Sequence, residues 1–125
     1  MTVPVVDATV LIDHLRGHEG ATAYLLALPG LPACSEITRV EVGRGLRSGE
    51  RAVARRLFAT IDWVAVSSEI AAEAAELGRR YRRSHHTIDV ADLIVAATAK
   101  NLGREPATTN VKHFPMFPGL APPYV

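Results

Sequence analysis

A chain of 125 residues with 48% hydrophobic and 22% charged residues has the size and balance of one soluble domain around a single apolar core. No apolar run is long enough to cross a membrane, and the N-terminus lacks the basic start and long apolar stretch of a signal peptide, so a cytoplasmic location is expected. The formal net charge of +1 does not by itself argue for nucleic acid, and the lone Cys34 excludes an internal disulfide and a cysteine-based zinc site.

The stretch Thr2–Arg16 organises the rest. Val3, Val5 and Val6, interrupted by Pro4, form a short β-branched run that reads as a strand. Asp7 ends it, and a helical pattern follows after Ala8 and Thr9, with Val10, Leu11, Ile12 and Leu15 apolar. In open α/β sheets ligands bind in the crevice at the carboxyl ends of the strands. Asp7 is therefore either a functional carboxylate or only the N-cap of the helix. Gly17 and Gly20 predict a break, and Ala21–Leu28 a second helix with Tyr24, Leu25 and Leu28 facing inward. Pro29–Gly30 is a turn signal. Leu31–Ser35 reads as a strand, Glu36–Arg47 as a helix stopped at Ser48–Gly49, and Glu50–Thr60 as a helix with Val53, Leu57 and Phe58 apolar.

Asp62–Val66 is a further strand, with Trp63 expected in the core. Ser67 or Ser68 then caps a helix to about Arg83, with Glu69 in its first turn. Its stripe of Ile70, Ala71, Ala74, Leu77, Gly78 and Tyr81 follows the 3.6-residue period. Ser84–Thr87 is a hinge, and Ile88–Leu102 is a helix apolar nearly all round, closed by Gly103. Pro106–Thr109 is a short strand followed by Asn110, and Val111–Phe117 is irregular. Leu120–Val125 is a candidate edge strand, where its prolines are tolerable. There is no internal repeat, low-complexity segment or linker, so residues 1–125 are expected to form one unit. Strands alternating with helices predict a parallel sheet of four or five strands with helices on both faces.

Acidic residues carry the chemistry. Glu41 follows Ile37 by one helical turn and sits beside Val40, either in a cleft or exposed and paired with Arg44. Asp92 lies among Ile88, Val95 and Ala96 on the apolar helix, where a carboxylate is costly without a partner. Asp89, one turn earlier, reads as that helix's N-cap. Asn110 is either a turn residue or a member of the same crevice as Asp7. Carboxylates about 4 Å apart repel by roughly 4 kcal/mol per pair at an effective dielectric near 20. Raised pKa values or a divalent cation relieve this. An all-oxygen donor set favours Mg²⁺ or Mn²⁺ over zinc and suits in-line attack of water on a phosphodiester. Asp13 reads as solvated, His85 and His86 as loop residues, and His113 as a turn residue or at most a phosphate contact. Arg39, Arg44, Arg47, Arg51, Arg55 and Arg56 form one basic cluster, and Arg79, Arg80, Arg82, Arg83, His85 and His86 another. Each is either a solvated helix face or a surface for a polyanion.

The segments VVDATVLIDHLR, SEITRVEVGRGL, DLIVAATAK and ATTNVKHF occur in this order. Together they resemble the PIN domain, in particular the VapC toxins of bacterial and archaeal toxin–antitoxin pairs, over essentially the whole chain. The resemblance implies a PIN-like three-layer sandwich and an Mg²⁺-dependent endoribonuclease, with Mn²⁺ as a substitute. It matches Asp7, Glu41 and Asp92 to the family's first three acids and Asn110 to a fourth position occupied by Asp or Asn. Asp7 and Asp92 would be the direct metal ligands, and Glu41 would complete the shell directly or through water. Asn110, lacking charge, would orient a water or a phosphate. Thr9 and Thr108 would hold the acids by hydrogen bonds. The resemblance further implies a homodimer, an RNA substrate and a cognate VapB antitoxin whose C-terminal tail blocks the groove. The rival reading is a non-catalytic RNA- or protein-binding module, which would not need three acids in one crevice. A haloacid-dehalogenase arrangement fails because Thr9, not an acid, stands two residues after Asp7. A receiver domain fails because it wants an acid pair at the first strand.

Overall fold

The computed structural model describes residues 3–125. Four strands form one parallel sheet in the order β3-β2-β1-β4. β1 (Val5–Val6) lies in the interior between β2 (Ala33–Ser35) and β4 (Pro106–Ala107), and β3 (Asp62–Val64) flanks β2. Val5 is in register with Ala33 on one side and Pro106 on the other, and Cys34 with Trp63. Because side chains alternate along a strand, neighbouring residues serve opposite cores. Val5 and Ala33 join Ile70, Leu77 and Val95 on one face, whereas Val6, Cys34 and Ala107 join Val10, Leu11 and Val42 on the other. The first face is covered by α5 (Ser68–Tyr81) and α6 (Val90–Leu102). The second is covered by α1 (Ala8–Leu15), α2 (Glu19–Leu26), α3 (Glu36–Arg44) and α4 (Arg51–Phe58). This is the expected three-layer α/β arrangement, with β-branched and small residues where strands are buried on both sides. Among the described residues no helix is long and apolar enough to cross a membrane.

Element ends differ from the sequence pattern for local reasons. α1 starts at Ala8, directly after Asp7. Gly20 does not break the chain; it lies within α2, because the His18 ring caps that helix by accepting from the Ala21 N–H at 3.2 Å. Gly17, at φ 81°, makes the break alone. α2 ends at Leu26, which leaves Leu28 outside it. α3 stops at Arg44 with Gly45 as its cap, earlier than Arg47. Ser67 caps α5 as expected, its hydroxyl accepting from the Ile70 N–H at 3.2 Å, but Ala71 is exposed rather than part of the buried stripe. α6 begins at Val90, not Ile88, because Asp89 and Asp92 form a capping box that fixes its first turn. Gly103 closes α6 at φ 65°.

Leu120–Val125 forms no strand. Pro122 and Pro123 have no N–H to offer a sheet edge. The tail instead docks on the helices: the Tyr124 hydroxyl donates to Asp13 Oδ2 at 2.7 Å, and its ring lies 4.9 Å from that of His18. Asp13 is thus a docking partner rather than a merely solvated residue. Trp63 packs partly buried against the second core, its indole N–H donating to the Phe58 carbonyl at 3.0 Å.

Leu77 is 2% exposed on α5 at the sheet interface. Truncation of Leu77 to Ala should lower the unfolding free energy by about 2–5 kcal/mol, measured by urea denaturation. Ala71→Ser, on the exposed side of the same helix, should change it by no more than about 0.5 kcal/mol.

Candidate active site

The carboxyl edge of the sheet carries an acidic cleft of about 200 Å³, lined among others by Asp7, Thr9, Glu41, Asp92, Asn110 and His113. The Asp7 N–H still pairs with the Ala107 carbonyl at 2.9 Å, so β1 delivers its carboxylate directly from the sheet edge. Asp7 is only 3% exposed. It occupies the N-cap position of α1 but makes no side-chain cap hydrogen bond. Two hydroxyls converge on its Oδ2 instead: Thr108 donates at 2.8 Å and Thr9 at 3.2 Å. The same hydroxyl oxygens accept from the backbone, Thr108 from the Asn110 N–H at 3.0 Å and Thr9 from the Thr109 N–H at 3.2 Å. Thr108 is fully buried behind Asp7.

Asp92 enters from the first turn of α6 and is 8% exposed. Its backbone N–H donates to Asp89 Oδ1 at 2.9 Å, and its Oδ2 accepts the Asp89 N–H at 3.4 Å. The same Oδ2 lies 2.8 Å from Nδ1 of His113. The Asn110 amide nitrogen lies 2.9 Å from that ring nitrogen. A proton on Nδ1 lets the ring donate to the carboxylate, and the Asn110 side chain then meets the same N–H with its amide oxygen rather than its nitrogen. Glu41 projects from α3, half-buried, with no side-chain hydrogen bond or ion pair among the described residues. The exposed, Arg44-paired alternative for Glu41 is therefore not observed, although Arg44 also lines the cleft.

The electrostatics follow from this crowding. Burial raises the Asp7 carboxyl above its ordinary range, opposed first by the Thr108 hydroxyl. Burial, and then the charge of Asp89, pushes Asp92 up to about 6, against the hydrogen bond from His113. Burial together with the charges of Asp7, Asp89 and Asp92 pushes Glu41 up to about 7, with Arg44 pulling the other way. Negative charge in this cleft is under-compensated by the protein alone. Among the described residues no three His, Cys, Asp or Glu side chains cluster closely enough to hold one ion together. The oxygen donors here suit an ion that takes one or two carboxylates and keeps its water, as Mg²⁺ does.

Two larger depressions lie elsewhere. One of about 440 Å³ is mainly apolar, between α1, α2 and α4, and one of about 530 Å³ lies between α3 and α4. Neither is lined by a carboxylate, so size does not locate the chemistry; the perturbed acids do. Asp7, Thr9, Glu41, Asp92 and Asn110 share one cleft, with Thr108 behind it. Asp89 both caps α6 and lines the cleft. His113 goes beyond the turn residue the sequence suggested. Its signal was the spacing Asn110-x-x-His113 immediately after a strand end, one 3₁₀ turn over Val111–His113.

The family model described as PIN domain matches residues 5–114. The chain is 42% identical over 123 residues to Ribonuclease VapC19 of Mycobacterium tuberculosis, covering 96% of this chain and 98% of that one. It is 41% identical over 122 residues to Ribonuclease VapC10 of the same organism, covering 96% and 92% respectively. Among solved structures, a toxin–antitoxin complex from Klebsiella pneumoniae superposes with a TM-score of 0.83 at 30% identity, covering 97% of this chain and 98% of that one.

Carboxyls held above their unfolded values bind extra protons in the native state, so their contribution favours folding below about pH 4 and is lost as pH rises through the folded values. For Glu41 that window ends near pH 7. In divalent-free buffer, Glu41→Gln should therefore gain thermal stability over the parent progressively between pH 5 and pH 8, read as the difference between their melting curves. A difference independent of pH would contradict the crowding described here.

Proposed function

The chain belongs to the PIN domain family, and from that premise we propose that it is a divalent-metal-dependent endoribonuclease, the toxin of a VapBC-type toxin–antitoxin pair. In this reading residues 1–125 form a single PIN domain, and the protein works in the cytoplasm as a homodimer. The observation that carries the reading is the convergence of Asp7, Glu41 and Asp92, from three distant segments, on one cleft where each carboxyl is raised above its ordinary pKa. A site that holds charge against its own repulsion suits a reaction that brings a compensating cation.

Mg²⁺, or Mn²⁺ in its place, would be held by Asp7 and Asp92, with Glu41 joining through water. Such an ion supplies Lewis-acid stabilisation of a phosphoryl oxygen and a more acidic water. The protein's own part is positioning. Thr108 and Thr9 fix Asp7 through Oδ2. His113 fixes Asp92 through Oδ2 in the same manner, from the turn that carries Asn110. Asn110 orients the attacking water or a phosphate oxygen by its amide. Arg44, at the cleft, receives substrate phosphate. A water oxygen forms the new bond to phosphorus in line with the departing ribose oxygen, whose bond to phosphorus breaks. A VapB-type antitoxin tail carrying a basic side chain fits the same cleft, since its charge would replace that of the ion.

Asp7→Asn and Asp92→Asn should abolish cleavage of cellular RNA while circular dichroism and melting remain those of a folded protein. Excess EDTA should do the same to the parent, reversed by Mg²⁺. RNA bound but uncut by the parent with Mg²⁺ present would leave a binding module instead.

His113→Ala should weaken Mn²⁺ binding, measured by calorimetry, and activity together by about 10–100-fold, the usual cost of losing a group that orients a metal ligand. His113→Asn, which keeps a donor near the Nδ1 position, should recover part of both.

A further inference from the structure

The depression of about 530 Å³ between α3 and α4 is not used by the chemistry described so far. Its floor is aromatic: Trp63 and Phe58 meet edge to face with centroids 5.1 Å apart. The guanidinium of Arg39 lies over the Trp63 ring at 4.1 Å and over Phe58 at 5.7 Å. Arg39 is not free to pair with a phosphate through its whole fork. Glu36 holds it by Nε at 2.6 Å and Nη2 at 3.3 Å. The clamp and the indole together fix the guanidinium as a flat plate, and its side chain remains 42% exposed. Arg51 and Arg55, one helical turn apart on α4, stand exposed at the wall of the same groove. Neither forms an ion pair among the described residues.

This groove and the acidic cleft both border α3, the groove through Arg39 and the cleft through Glu41 and Arg44. A small depression between them, with no room for a water, shares Ile12 with the cleft and Leu46 with the groove. The two sites are thus neighbours on the surface without an open channel between them. Arg16 lies in that depression, its guanidinium donating to the Gly45 carbonyl at 3.1 Å. Glu50, the acid there, is engaged by the Arg47 N–H at 2.5 Å. Arg44 at the cleft, Arg16 in the depression and Arg51 and Arg55 at the groove thus follow one another over the surface, interrupted by the carboxylate of Glu50.

A fixed guanidinium plane backed by an indole takes the face of an unstacked base, and exposed arginines a helical turn apart take backbone phosphates. We propose that this groove is a single-stranded RNA subsite: a nucleobase several nucleotides from the scissile bond stacks on Arg39, out of reach of a short strand held at the cleft, and Arg51 and Arg55 hold the adjoining phosphates. The proposal rests on the endoribonuclease reading and assigns to that site an extended RNA-binding surface beyond the cleft. A paired duplex cannot present a base face to Arg39, so the subsite selects unpaired RNA.

The test uses full-length Asp7→Asn protein, to hold RNA uncut, with fluorescein-labelled mixed-sequence RNAs: a 16-nucleotide single strand, a 4-nucleotide strand and a 16-base-pair duplex. The 16-mer should bind more tightly than the other two. It should also change the emission of Trp63, the chain's one tryptophan, while the 4-mer does not. Adding Arg51→Ala and Arg55→Ala should reduce the slope of log affinity against log salt for the 16-mer by about 1.4, roughly 0.7 for each single-strand phosphate no longer neutralised. Adding Arg39→Lys keeps the charge but removes the plate, and should weaken the 16-mer about tenfold, with 4-mer affinity unaltered. Unchanged 16-mer affinity and salt slope in the arginine pair variant, or Trp63 emission indifferent to saturating 16-mer, would overturn the subsite. So would a loss confined to binding of the purified antitoxin, which would make the groove a protein-docking surface. Cleavage of the 16-mer by the parent in any of these outcomes leaves the ribonuclease reading standing. Failure of the parent to cut any RNA with Mg²⁺ present would instead remove that reading and this one together.

Discussion

The hydrogen bond from Thr108 to Asp7 joins residues 101 positions apart and fixes where everything else must go. Both residues stand just past the ends of paired parallel strands, β1 and β4. The pairing alone would bring the two chain segments together. The hydroxyl adds direction, because a carboxylate that is 3% exposed cannot be left to water. Thr9 supplies a second donor from the first turn of α1, so strand, helix and the far strand end all depend on one oxygen atom. This is how a fold whose strands are only two or three residues long still defines a rigid edge.

Asp92 is held by a different device with the same outcome. It sits in the first turn of α6, where the exposed backbone N–H groups favour negative charge. The capping box ties it to Asp89, and that is a costly partner, since the second carboxylate raises the first. His113 offsets part of this from the far side of the cleft. Removing Asp89 would relieve repulsion but release the start of α6. The helix therefore keeps two acids in one turn because one organises its N-terminus and the other faces the cleft.

Much of this was legible in the residues. A β-branched run ending in Asp7, an acid in an otherwise apolar helix at Asp92, and Glu41 one turn from Ile37 are local signals, and the parallel topology brings them to one edge. What escaped depends on contacts between distant segments. His113 meets Asp92 only because a 3₁₀ turn swings it back across 21 residues of sequence. Gly20 read as a breaker because nothing in its neighbourhood announces that a histidine ring will cap the turn; a Cβ there would come within 3.3 Å of that of Tyr124. The same Tyr124 draws the C-terminal residues onto α1 and α2 when alternation alone suggested an edge strand. Ala71 matched the helical period but lies in the first turn of α5, where it is exposed, and the period alone does not show how far along the helix the packing extends.

The charge layout carries a consequence for the order of events. In the proposed ribonuclease Arg44 would draw RNA, while the acidic cleft floor repels phosphate. At about 4 Å and an effective dielectric near 20, each unscreened pair costs roughly 4 kcal/mol, more than one surface arginine returns. On that reading a phosphodiester would reach Asp7 and Asp92 only after positive charge had settled among them. Whichever cation arrived, a metal ion or a basic side chain from a protein partner, would determine whether the cleft receives substrate or is sealed against it. The raised acids would thus be a selector as much as a catalytic device, and the threonine and histidine hydrogen bonds that keep them crowded would stop the cleft from relaxing out of that choice.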